Sequence, residues 1–89
     1  MSKISVILNI TIESRDLDEV SRALASLPEV IDVYEVTGES DIVAIVKAND
    51  VIDFRNMLKN EILKIDGIKT TVSSVIMYTH KKDGKSVDE

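Results

Sequence analysis

The sequence predicts an α+β domain of element order β-α-β-β-α-β, in which a four-stranded antiparallel sheet carries two helices on one face. Three observations predict it. A strictly alternating apolar segment opens the chain, and two stretches with apolar residues at helical spacing follow, each beginning among acidic residues. Between those stretches, two β-rich runs flank Thr37-Gly38-Glu39-Ser40-Asp41. One glycine and three side chains suited to turns make residues 33–46 an antiparallel hairpin, and the rest of the chain is arranged around it.

In residues 3–12, Ile4, Val6, Leu8, Ile10 and Ile12 alternate with Ser5, Ile7, Asn9 and Thr11, giving a strand with one strongly apolar face. Asp16 with Glu19 three positions on has the spacing of a capping box, in which side chains take up the free amides of a first helical turn. Leu17, Val20, Ala23, Leu24 and Leu27 form a helical stripe that Pro28 ends, because its ring disfavours helical backbone in the residue before it. Residues 30–37 and 41–48 are the hairpin arms. Within the second, residues 42–46 are apolar without alternation, the pattern of a strand covered on both faces. Asn49-Asp50 opens a second helix with Asp53 in its first turn. Its stripe is Val51, Phe54, Leu58, Ile62 and Ile65, with Gly67 at the C′ position. The last strand runs from Ile68 to about Tyr78. Residues 1–79 are thus expected to form the domain and residues 80–89 a polar tail that frays.

Leu27-Pro28-Glu29-Val30 and Ile65-Asp66-Gly67-Ile68 join each helix to the next strand by a similar short connector. The chain therefore reads as two βαβ halves, the ferredoxin-like arrangement, with right-handed crossovers placing both helices over Val6, Leu8 and Ile10. The opposite face keeps Ile7, half of residues 42–46 and half of the last strand. Such an apolar patch marks an interface, so a symmetric homodimer is expected, sheet face to sheet face, of the dimeric α+β-barrel type.

Composition narrows the function. With 89 residues the chain is one small domain that buries about 60–65% of the surface its unfolded form exposes, a thin core unless a partner adds to it. Apolar residues make up 44% and charged residues 30%, which fits a folded globular domain rather than a disordered or membrane-embedded one. No apolar run reaches the roughly 18 residues of a bilayer span, and the N-terminus enters a strand, so a cytoplasmic location without membrane association is expected. The lack of cysteine excludes disulfides, thiolate chemistry and cysteine-bound zinc. Sixteen acidic against eleven basic residues give a net charge of −5, which a phosphate backbone repels, so direct nucleic-acid binding is not expected. The basic cluster Lys81-Lys82-Asp83-Gly84-Lys85 reads as solvated tail.

Signals for catalysis are weak. His80 is the single histidine and has no nucleophile or carboxylate at a recognisable spacing. Asp16, Asp18 and Glu19, like Asp50 and Asp53, fall at helix starts, where acids complement the dipole. Gly38, Gly67 and Gly84 are too far apart for a phosphate loop. No catalytic residue, metal or cofactor is expected. The hairpin loop remains. Gly38 can take a positive φ, the amides near Glu39 and Ser40 suit a carboxylate, and Asp41 suits an ammonium group, which together fit the two charges of a free α-amino acid; on spacing alone Gly38 and Asp41 equally read as ordinary turn residues of a hairpin.

Val36-Thr37-Gly38-Glu39-Ser40-Asp41 resembles the V-T-G-x-x-D signature of the effector-sensing half, or RAM domain, of Lrp/AsnC-type regulators. Leu27-Pro28-Glu29-Val30 resembles the L-P-E-V of the same family. Ile65-Asp66-Gly67-Ile68-Lys69-Thr70-Thr71-Val72-Ser73 is similar to its P-G-V-x-x-T-x-T run. The resemblance implies a ferredoxin-like domain that dimerises through its sheet, with dimers assembling into a higher oligomer. It also implies small amino-acid effectors bound at contacts between dimers, near the hairpin loop. Carried over residue by residue, Gly38 and Asp41 match the loop motif, with Glu39 and Ser40 inside it, and Thr71 and Ser73 match two hydroxyls of the last strand. Ser40 stands where the family often has an aromatic residue, and Ser73 where it usually has threonine. Family regulators carry an N-terminal winged helix-turn-helix, whereas here the chain starts with the first strand. The resemblance therefore implies a stand-alone, non-enzymatic sensing and oligomerisation module that does not read DNA and has a full-length Lrp/AsnC-type regulator as a possible partner. Two other readings compete. One is a small dimeric α+β-barrel enzyme, with Asn9, Thr71 and Ser73 converging inside the sheet interface. The other is an ACT-like amino-acid-binding domain with its ligand on the helix side.

Overall fold

The structure, a computed structural model, describes residues 3–13, 15 and 17–87. Its elements follow the expected order: β1 (Ile4–Ile12), α1 (Leu17–Ala25), β2 (Val30–Glu35), β3 (Ile42–Ala48), α2 (Val51–Met57) with a wide π turn (Leu58–Ile62), and β4 (Ile68–Val75). A terminal hairpin, β5 (Lys81–Lys82) and β6 (Lys85–Ser86), follows. The four long strands form one antiparallel sheet in the spatial order β2-β3-β1-β4. Each helical connection thus passes over one intervening strand, the ferredoxin-like topology.

The alternation in β1 decides which face becomes the core. Val6, Leu8 and Ile10 lie opposite Val46, Ala44 and Ile42 of β3, and all six are fully buried. Val20 and Leu24 of α1, Phe54 and Met57 of α2, and Ile62 close over them. In β3 only alternate residues are buried, while Val43 and Ile45 on the other face are half-covered. The second cover expected for residues 42–46 is therefore absent within the protomer, because the helices occupy one face only.

The second helix departs from its expected stripe. Val51 is 59% exposed, and Phe54, Met57 and Ile62 carry the packing, with Leu58 and Ile65 partly buried against them. The cause is the π turn, where the Leu63 amide donates to the Leu58 carbonyl at 2.8 Å, five residues back rather than four. A stripe counted back from Ile62 at 3.6 residues per turn lands on Val51. The extra residue rotates the face, so that the five-residue step from Met57 to Ile62 stays on one side. The start of α2 has the reciprocal cap its acids suggest. Asp50 Oδ1 accepts the Asp53 amide at 2.7 Å and Asp53 Oδ2 accepts the Asn49 amide at 2.8 Å. The corresponding cap expected of Asp16 lies outside the described residues.

Gly67 is not the C′ residue of this helix, which ends at Ile62 with Leu63 as its C-cap. It sits in the turn before β4 with φ +98°, and its carbonyl accepts the Glu13 amide at 2.8 Å, tying the end of β1 to the start of β4. The strands are shorter than expected. β2 ends at Glu35, β3 begins at Ile42 and β4 ends at Val75. Among the described residues of the tail, 81–86 form a hairpin. Asp83 and Gly84 take φ of +51° and +79°, the two positive values of a type I′ turn, and the Val87 amide donates to the His80 carbonyl at 3.0 Å. Asp-Gly is a strong hairpin signal, hidden here by the charged residues around it.

Candidate functional site

The loop between β2 and β3 is closed by the Val36 amide, which donates to the Asp41 carbonyl at 3.0 Å. Asp41 then engages β1 twice: its amide donates to the Ile10 carbonyl at 2.9 Å, and its Oδ2 accepts the Ile12 amide at 2.9 Å. One carboxylate oxygen of Asp41 is thus committed to the backbone, fixing the loop exit against the end of the central strand. Gly38 has φ +110° with nothing within 4 Å of the position a Cβ would take, so glycine answers to the backbone here and not to crowding. Gly38 and Glu39 are exposed, while Ser40 and Asp41 are half-covered.

Thr71 lies opposite Ile10, and Ser73 opposite Leu8. Residues opposite one another share a face, so both hydroxyls stand on the helix side of the sheet. They are at its uncovered edge: Thr71 is half-covered and Ser73 exposed. Asn9 lies opposite Val43 and Val72, on the other face. The convergence of Asn9, Thr71 and Ser73 that a barrel enzyme would need does not form, because odd and even positions of β1 point apart. The loop exit and Thr71 lie at the same end of the sheet on opposite sides of Ile10, with β1 between them, whereas Ser73 is one pleat further in. A neighbouring pair went unnoticed in the sequence: the hydroxyls of Thr11 and Thr70 are hydrogen-bonded to each other on the open face. A threonine in each strand is the only signal for it.

A groove of about 560 Å³ runs between α1 and β2, lined by Ser21, Arg22, Ala25, Val33, Tyr34 and Glu35. It sets a cation and an anion around an apolar floor, and Ser21 Oγ is buried there without a hydrogen-bond partner. Nothing in the sequence marked Arg22 or Glu35, since their juxtaposition arises only when α1 folds back on β2. Among the described residues no group of three histidine, cysteine or acidic side chains is placed to hold a metal ion. His80 is packed edge-on to Tyr78, with ring centroids 4.6 Å apart. No helix of the described residues is long and apolar enough to cross a membrane.

Residues 5–86 match the family model described as the Lrp/AsnC ligand binding domain. An uncharacterised HTH-type transcriptional regulator of Pyrococcus abyssi is 32% identical over 80 residues, which cover 90% of this chain and 54% of that protein. The chain spans about half the length of the curated relatives it matches. Among solved structures, a Thermus thermophilus protein superposes with a TM-score of 0.82 at 28% identity, covering 89% of this chain and 99% of the other. A Neisseria meningitidis transcriptional regulator in complex with L-Met shares the fold with a TM-score of 0.80 at 21% identity, over 96% of this chain and 57% of that one. With the four-stranded sheet, the two helices and the loop all in the expected places, the chain belongs to the Lrp/AsnC ligand-binding domain family.

Proposed function

We propose that this chain senses a free α-amino acid and couples it to oligomerisation, without enzymatic activity and without reading DNA itself. The observation that carries the reading is the loop exit at Asp41. The carboxylate is held by the Ile12 amide through one oxygen, which leaves the other for an ammonium group, while the exposed backbone beside Gly38 and Ser40 offers amides to a carboxylate. Gly38, Glu39, Ser40 and Asp41 would form the site, with Thr71 and Ser73 of β4 beyond the intervening β1. The L-Met complex of the Neisseria regulator supports the ligand class.

The open sheet face, with Ile7, Val43, Ile45 and Val72, pairs with the same face of a second copy, and the dimers assemble further around the loops. The net charge of −5 and the regulators among its relatives favour a cytoplasmic module that acts on a full-length Lrp/AsnC-type regulator. A thermal-shift panel of the twenty amino acids at millimolar concentration tests the sensing role. A ligand at a hundred times its dissociation constant adds about 2.7 kcal/mol, a rise of several degrees for a domain of this size. No shift with any amino acid overturns it. The α1–β2 groove favours a second reading, an ACT-like ligand site on the helix side, in which Arg22 and Glu35 take the place of the loop.

A further inference from the structure

Ile12, the last residue of β1, is met regularly by neither neighbouring strand. Toward β4 the pairing is even as far as Thr11 opposite Thr70, and the next step sets Ile12 opposite Ile68, passing over Lys69 as a bulge. Toward β3 the ladder runs out. Residues two apart in a strand direct their amides and carbonyls to the same neighbour, so after Ile10, whose carbonyl accepts the Asp41 amide, the next donor on that side is the Ile12 amide. β3 begins at Ile42, and the residues before Asp41 already belong to the loop. The donor is taken instead by Asp41 Oδ2 at 2.9 Å, a side chain standing where a strand would offer a carbonyl.

The difference between the two acceptors is mechanical. A backbone carbonyl is fixed by its strand, whereas a carboxylate turns about its own side-chain bonds and holds the amide only while it keeps one rotamer. A cation on the other oxygen removes that freedom. What holds Ile12 also holds the start of β4, because the Glu13 amide, one residue on, donates to the Gly67 carbonyl at 2.8 Å in the turn that leads into Ile68. At the far end of the same seam the Ile76 amide donates to the Ser5 carbonyl at 2.9 Å, main chain to main chain, with no carboxylate involved.

We infer that an amino acid bound at the β2–β3 loop latches this corner of the sheet: its ammonium group on the free oxygen of Asp41 locks the other oxygen on the Ile12 amide, and the bulged joint between β1 and β4 closes from Ile12 to Gly67. The coupling is reciprocal, so an Ile12 amide that pulls away lets the carboxylate turn and weakens the hold on the ligand. The inference rests on the loop site proposed above and adds what occupancy changes in the sheet. The response is confined to one end of β1, because the Ser5 end has no such link.

Amide hydrogen exchange read by nuclear magnetic resonance tests it on the unaltered chain. Each of the twenty amino acids that raises the melting temperature is added at millimolar concentration, and three amides are followed: Ile12 and Glu13 at the corner, and Ile76 at the opposite end of the seam. Exchange at Ile12 and Glu13 is expected to slow at least tenfold while Ile76 is unchanged. Equal slowing at both ends, or none at Ile12, overturns the latch and leaves the loop site standing. A panel in which no amino acid raises the melting temperature removes both. As a second variant, Asp41→Asn keeps an acceptor for the Ile12 amide and lacks the charge for the ammonium group, so its Ile12 amide is expected not to respond. A response at Ile12 as large as that of the unaltered chain overturns the inference.

Discussion

Asp41 and Ile12 are 29 positions apart in the chain and are joined by one hydrogen bond of 2.9 Å from the Ile12 amide to the Asp41 carboxylate. With the Asp41 amide on the Ile10 carbonyl, this bond fixes where the β2–β3 loop leaves the sheet. An acid that sequence reading assigns to a ligand is thus first a strut. Removing it loosens the frame of the proposed ligand site.

Asp41→Ala therefore lowers stability as well as binding. The half-covered Ile12 amide loses its acceptor, which costs about 1–3 kcal/mol. Asp41→Asn keeps an acceptor oxygen at the same place and costs less, while losing the charge an ammonium group needs. Urea denaturation of the two variants, with the amino-acid thermal shift alongside, separates the strut from the ligand contact.

Gly38 tests the loop in another way. At φ +110° any Cβ is strained, yet nothing lies within 4 Å of it. Gly38→Ala and Gly38→Val are both expected to cost about 1–2 kcal/mol, by backbone strain alone. A valine much worse than alanine in chemical denaturation would reveal crowding that this geometry does not contain.

Asp50→Ala removes the cap of α2, whose side chain accepts the Asp53 amide at 2.7 Å. The expected loss is about 1 kcal/mol. The cap is remote from the β2–β3 loop, so the response to amino acids is unchanged, a useful control for the Asp41 variants.

Ile7→Asp places a charge in the middle of the open sheet face, where Ile7 lies opposite Ile45 and Ser74. Because that face is only half-covered in the protomer, the fold survives and the dimer does not. Light scattering is expected to give a monomer at micromolar concentration, against a dimer for the unaltered chain.

Arg22→Ala distinguishes the two ligand readings. If the loop is the site, the amino-acid thermal shift is unaltered. A shift abolished by Arg22→Ala and retained by Asp41→Asn moves the site to the α1–β2 groove.

The parts of this fold that sequence made legible are those set by local periodicity. Alternation in β1 names the buried residues Val6, Leu8 and Ile10, and the Asp50–Asp53 spacing names the cap of α2. What stayed hidden depends on a change of period or on contacts between distant segments. The π turn displaces the stripe from Val51 to Met57, a shift that no 3.6-residue count can contain. The partnership of Asp41 with Ile12, and the placing of Arg22 and Glu35 on one groove, exist only once strands and helix are side by side.

The π turn at Leu58–Ile62 also makes α2 uneven in its tolerance of length. It holds one residue more than an α-helical turn, stored in a loop of backbone that bulges without breaking the chain's path. Excision of one residue there lets the turn relax to ordinary α geometry while Phe54 and Met57 keep their seats. The same excision among residues 51–57 would swing both side chains about 100° around the helix axis and out of the core. In this chain the spare length sits where the helix meets the connector to β4, a slack link that absorbs a lost residue before it reaches the register of the last strand.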